Sequence, residues 1–137
     1  MTYEQLSIET GHGSYSIEVK ENHIYTQLNG AFNEQGVSNW VQEMKKVIAS
    51  LSPEPFTILV DELKATGATP QALKLANAYN QWLNKKPLIA KAVVYSGDMF
   101  KAIDIKNLPA RQEQNIKFFN NSQDAKVWLD KEAKRIG

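Results

Sequence analysis

Early in the chain, apolar positions recur at every second residue. Tyr15, Ile17 and Val19 alternate with polar neighbours, and so do Ile24, Thr26 and Leu28. That period belongs to strands buried on one face. The connection between them, around Glu21-Asn22, is short, so the two strands form an antiparallel hairpin. The period then changes. Val37, Val41, Met44, Ile48 and Leu51 share one apolar face of a helix. Asn33 stands before it as a cap, and Phe32 and Val37 are spaced as a hydrophobic staple. Pro53 and Pro55 stop it.

Phe56-Thr57-Ile58-Leu59-Val60 is apolar at nearly every position and ends at Asp61. Such a run predicts a strand buried on both faces. A loop follows to Thr69, which caps a helix whose first residue is Pro70. This helix runs to about Asn84 and turns Leu73, Ala76, Tyr79 and Leu83 inward. Ala90–Tyr95 is the next buried strand. Ser96-Gly97-Asp98 turns into a short helix through Met99, Phe100, Ala102 and Ile103, which Leu108-Pro109 breaks. Ile116–Phe119 is a last strand. Asn121 or Ser122 caps a final helix that packs Ala125, Trp128 and Leu129 on the sheet. The order is β-β-α-β-α-β-α-β-α, a single α/β domain with a mixed, mostly parallel sheet and right-handed crossovers. Residues 1–13 form an N-terminal extension, either joined to the sheet or flexible.

Composition narrows the classes. The 137 residues suit one domain with a sizeable core. Net charge is +1, which gives no global attraction for nucleic acid or an anionic surface. Residues 1–83 are acid-rich and residues 84–137 base-rich, but interleaving of the two halves in one sheet would cancel that asymmetry. The absence of cysteine excludes disulfides, thiolate metal sites and a cysteine nucleophile. No apolar run reaches membrane-spanning length. The first residues lack the segments of a signal peptide, so a cytoplasmic location is expected.

Open α/β sheets place ligands at the carboxyl ends of their strands, where helix N-termini offer unpaired N–H groups. Asp61, Lys64, Thr66, Thr69, Ser96, Gly97, Asn120 and Asn121 fall on that rim. They are candidates for an anionic or polar head group, and equally for ordinary capping and turn roles. Catalytic patterns are missing. His12 lies in a glycine-flanked loop. His23 shares a strand face with Tyr25 and Gln27, read as the wet face, with no carboxylate clustered beside it. Asp61 and Glu62, if both in a strand, point to opposite faces. Gly11-His12-Gly13 is only part of a dinucleotide fingerprint. Val94-Tyr95-Ser96-Gly97-Asp98 lacks the first glycine of a nucleophile elbow. The sequence therefore points to no enzyme, no metal and no cofactor.

Two further features bear on partners. Met99, Phe100, Ile103 and Leu108 belong to a segment with more apolar positions than one helix face needs. It reads as a fully packed helix or as a patch for a partner chain, a second copy or an acyl chain. Trp40 and Trp82 lie near helix stripes and read as core before ligand wall. No basic stripe interleaved with stacking aromatics appears, so no nucleic-acid partner is expected.

Certain residues, taken together, carry a resemblance. They are Leu28-Asn29-Gly30-Ala31-Phe32, Leu59-Val60-Asp61, Thr66-Gly67-Ala68-Thr69-Pro70, Ala90-Lys91-Ala92-Val93-Val94, and Phe118-Phe119-Asn120-Asn121-Ser122-Gln123-Asp124-Ala125 with Trp128-Leu129. Over roughly residues 14–130 the chain resembles the SpoIIAA-like family of small bacterial proteins. The resemblance implies a STAS-type fold, related in shape to a class of lipid-binding domains. STAS anti-sigma antagonists carry Asp-Ser-Ser-Gly at the helix start after the buried strand, and a kinase phosphorylates a serine there. Here Thr69-Pro70-Gln71-Ala72 stands at that place. The serine is gone, Thr66 and Thr69 are the hydroxyls left, and Thr69 is taken as a cap. The resemblance thus implies a non-enzymatic regulatory or protein-interaction module without the phospho-serine switch. The alternative is a carrier or sensor of a small anionic or lipid-like ligand at the strand rim. A homodimer through the apolar patch fits the first.

Overall fold

The computed structural model describes residues 2–6, 13–97 and 106–136. Its elements are β1 (Thr2–Leu6), β2 (Ser14–Lys20), β3 (His23–Phe32), α1 (Glu34–Leu51), β4 (Phe56–Ala68), α2 (Pro70–Leu83), β5 (Leu88–Val94), a 3-10 turn (Pro109–Glu113), β6 (Ile116–Phe119) and α3 (Ser122–Ile136). The expected mixed α/β architecture is present. Residues 99, 100 and 103, assigned above to a short helix and an apolar patch, lie outside the described residues, as does His12.

One six-stranded sheet runs in the order β1-β2-β3-β4-β5-β6. β1 pairs antiparallel with β2, and β2 with β3. β3, β4, β5 and β6 are parallel to one another. Part of the N-terminal extension is therefore a strand. The strictly sequential order also corrects the expectation that the two halves of the chain interleave. The acid-rich half supplies β1 to β4 and the base-rich half β5 and β6, so the charge asymmetry of the sequence becomes one of space.

Local signals set the helix ends. Asn33 Oδ1 accepts from the Gly36 amide at 2.9 Å and starts α1. The staple residues Phe32 and Val37 are both buried. Pro70 opens α2, where it lacks only an N–H that would have had no partner. At the last helix Asn121, not Ser122, is the cap: its Oδ1 accepts from the Asp124 amide at 2.8 Å. Inward positions shift slightly from the expected stripes. α1 buries Trp40 and Val47 beside Val37, Met44 and Ile48, while Val41 and Leu51 are half-buried. α2 buries Ala72 and Asn80 with Tyr79 and Leu83, and leaves Leu73 and Ala76 half-buried.

The sheet separates two cores. On one face Ile17, Ile24, Ile58 and Val60 meet α1 and α2 around Trp40, Met44 and Tyr79. On the other, Leu59, Ala90, Ala92 and Val94 lie under Ala125 and Leu129 of α3. Two alanines on β5 let that helix approach closely. Lys91, between them in sequence, points the opposite way and is 1% exposed. Its ammonium donates to Asn80 Oδ1 of α2 at 2.5 Å. A charge so buried persists only when hydrogen-bonded, and Asn80 is placed to do that.

The largest departure from expectation is β4. The loop expected from Asp61 to Thr69 is strand almost throughout, because β3 also runs on to Phe32 and pairs with it. The ladder includes Asn29 with Lys64, Gly30 with Ala65 and Phe32 with Ala68, with two bulges on the way. β5 stays with β4 only to the pair Asp61 and Val94. From Glu62 onward β4 keeps β3 on one side and, among the described residues, no strand on the other.

Candidate functional site

The parallel strands β3 to β6 end on one rim, and α1, α2 and α3 begin there. Phe32 pairs with Ala68, and the Phe32 carbonyl accepts from the Thr69 amide at 3.0 Å. That ladder brings the starts of α1 and α2 side by side. Between them lies an open depression of about 530 Å³ lined by Asn33, Glu34, Gln35, Ser38, Thr69, Gln71 and Leu75. Its electrostatics are mixed. Two helix N-termini favour an anion, but Glu34 already supplies negative charge in the first turn of α1. Thr69 Oγ1 accepts from the Ala72 amide at 3.2 Å, so its hydroxyl serves as the expected cap.

A second open depression, of about 450 Å³, lies where β5 and β6 end. Tyr95, Gly97, Phe118, Phe119 and Asn120 line it, with Tyr95 edge-on to Phe118 at 5.4 Å. Ser96 and Gly97 are exposed. The Asn120 side-chain Oδ1 accepts from Asn121 Nδ2 at 2.9 Å. The predicted rim residues are therefore not one site. Thr69 belongs to the first depression, Gly97 and Asn120 to the second, and Asn121 to the α3 cap.

Asp61, Lys64 and Thr66 line neither depression. They ride on the stretch of β4 that outruns β5. Asp61 does not end the strand, but its Oδ1 does accept from a nearby amide, that of Leu63, at 3.0 Å. Lys64 and Thr66 are exposed. Leu63, 41% exposed, stands on the same arm, and sequence reasoning passed over it. A lone leucine between Glu62 and Lys64 gives no periodic signal. Leu108, in the segment read as either packed or an apolar patch, is 7% exposed and belongs to the interior. It sits just before the 3-10 turn, which packs on α2 and carries it inward.

The face holding His23 is not wet. α3 covers it, with Lys126 over the Tyr25 ring at 5.2 Å. His23 Nδ1 lies 2.6 Å from Thr57 Oγ1, and Nε2 lies 3.9 Å from Asp130. This hydroxyl–imidazole–carboxylate string has the order of a hydrolytic triad. Its hydroxyl is closed to solvent, however, since Thr57 is 1% exposed. Asp61 and Glu62 engage different partners: Glu62 accepts from Arg111 Nη2 at 3.1 Å. Trp40 is core, its indole N–H donating to Thr26 Oγ1 at 2.9 Å. Trp82 is half-buried, with Lys45 and Lys86 over its ring at 5.1 and 4.8 Å. Among the described residues no helix is long and apolar enough to cross a membrane.

The arrangement of strands and helices matches a solved structure from Shewanella loihica PV-4, an uncharacterised protein of the DUF3478 family with a SpoIIAA-like fold. The match covers 91% of this chain and 99% of that one, with a TM-score of 0.67 and 16% identity. The fold is SpoIIAA-like. The similarity in sequence is low, so the SpoIIAA-like match concerns architecture alone. No family model matches the sequence. No curated protein matches it either. At the start of α2, Thr69 is the cap and Pro70 the next residue.

Proposed function

We propose that this SpoIIAA-like chain is a non-enzymatic protein-interaction module that docks a partner chain along the β4 arm. The observation that carries the reading is the stretch from Glu62 to Ala68. Among the described residues it is a strand with one bonded edge, mostly exposed, ending between two helix starts. Free strand edges are templates for another chain, and main-chain hydrogen bonds then supply affinity. The shallow, open form of both rim depressions suits a partner surface better than an enclosed small molecule. The commitment of Thr69 to capping argues against control by phosphate at that hydroxyl.

The reading is tested by a photo-crosslinking residue placed at Thr66 in cells, with the same residue at exposed Ser52, at the far end of α1, as control. A protein crosslinked from position 66 and absent from position 52 is the expected result. Equal capture from both, or none from 66, refutes it.

The second reading, a carrier or sensor of a small anionic or lipid-like ligand, draws on the depression between the α1 and α2 starts. Native mass spectrometry of protein purified gently from its host separates the two. A retained small-molecule mass supports the carrier, and a clean apo mass counts against it.

A further inference from the structure

We infer that this chain binds a small carboxylate with a body of one apolar ring, in the hollow between the C-terminal ends of α1 and α2. The site lies at the other end of those helices from the strand rim and is independent of the β4 arm. The hollow has a volume of about 210 Å³. Drug-sized ligands occupy about 300–1,000 Å³, so this one suits a single ring. Ile48 and Phe56, 3% and 1% exposed, line it from the core. Trp82 and Pro87 wall it on the α2 side. The Phe56 amide donates to the Pro87 carbonyl at 3.1 Å, and the Trp82 ring is held by stacking on Tyr79 at 6.2 Å. A hollow already formed in the free chain asks little ordering of its ligand.

Charge decides the head group. Lys45 and Lys86 hold their ammonium groups over the Trp82 ring, at 5.1 and 4.8 Å. Among the described residues neither has an ion pair. Two things oppose an anion here. Glu54 also lines the hollow. The helix ends add partial negative charge, about half a unit each where their carbonyls are unsatisfied. Carbonyls at both ends already accept backbone amides, Leu51 from Glu54 and Leu83 from Lys86 at 2.9 Å each. Two unpaired ammonium groups therefore outweigh one carboxylate beside an apolar wall. A ring carrying a carboxylate answers both features. The ring displaces water from the wall, and the carboxylate accepts a charge-assisted hydrogen bond from Lys86, with Lys45 adding attraction. An ammonium on the same ring would meet two like charges.

Phenylacetate tests this in a ¹⁵N-resolved NMR titration. The Trp82 indole N–H, assigned by its loss in Trp82→Phe, should shift with a dissociation constant of about 1 mM. Trp40 and Trp128 do not line the hollow and should stay still. Benzylamine should bind at least about tenfold more weakly, and acetate, without a ring, should leave Trp82 unmoved. Lys86 and Glu54 are exposed, so replacing either by glutamine leaves the fold intact. Lys86→Gln should weaken phenylacetate about three- to fivefold, and Glu54→Gln should tighten it about twofold. No Trp82 shift by about 10 mM phenylacetate overturns the inference. So does a shift that benzylamine reproduces at equal concentration, or one that K86Q and E54Q do not move in opposite directions. Shifts confined to the starts of α1 and α2 also overturn it, by placing the ligand in the rim depression.

Discussion

Replacing Asn80 by alanine should cost this fold about 2 kcal/mol, and most of that should pass through Lys91. Asn80 is 2% exposed on α2. Its Oδ1 accepts from the Lys91 ammonium at 2.5 Å and from Gln114 Nε2 at 3.1 Å, and its Nδ2 donates to the Ala76 carbonyl at 2.8 Å. Losing a buried hydrogen bond to a charged group costs about 1.5–3 kcal/mol. Gln114 keeps its bond to Asn84 at 2.9 Å, so that branch adds little. The Ala76 carbonyl retains the α2 ladder. Alanine is the better helix former by about 0.5 kcal/mol, which offsets part of the loss. Urea unfolding reads the result. With a slope of about 1–3 kcal/mol per molar, the midpoint should fall by about 1 M at unchanged slope. The decisive arm is a double-mutant cycle with Lys91→Met, which removes the ammonium and keeps the chain length. In that background N80A should lose at least half of its effect. An N80A cost equal in both backgrounds to within about 0.5 kcal/mol would show that the amide does not act through the lysine, and the argument would fail.

Two shorter predictions concern the β2 entry and the acid limb of stability. At Gly13, φ is +74°, and an added Cβ would lie 2.7 Å from the Phe32 ring. Gly13→Ala should therefore destabilise by about 1–3 kcal/mol, and an unchanged melting temperature would refute it. The Asn115 amide bond, then Arg135, holds the Glu132 carboxyl below its ordinary value of 4.5. A lowered folded value means that this stabilisation is complete above about pH 4.5 and is lost as pH falls through the lower folded value. In a carboxyl NMR titration, Asn115→Ala should move Glu132 back toward 4.5, and no movement would remove Asn115 as the cause.

Legibility followed the range of the forces. Asn33, Pro70 and the Ile116–Phe119 strand were readable because caps, first-turn prolines and apolar runs act within a few residues. The outer half of β4 was not. Glu62-Leu63-Lys64-Ala65-Thr66-Gly67 has no strand pattern of its own, and only the ladder to Asn29–Phe32 makes it extended. The covering of His23 depended on where α3 returns, a tertiary fact. Asn80 and Lys91 each look misplaced in an apolar stripe, and make sense only once they face each other. The candidate site divided for the same reason: rim residues are identifiable from strand ends, but which of them share a hollow is decided by how far neighbouring strands run.

The sequential strand order has a consequence for how the molecule is made. Each strand joins the one synthesised just before it, and no strand has to be inserted between two that already pair. Every closure joins strands that are neighbours in sequence, and its entropy cost grows only slowly with loop length. A chain emerging from the ribosome at about 5–20 residues per second can therefore extend its sheet in step with translation, laying β4 on a finished hairpin before β5 exists.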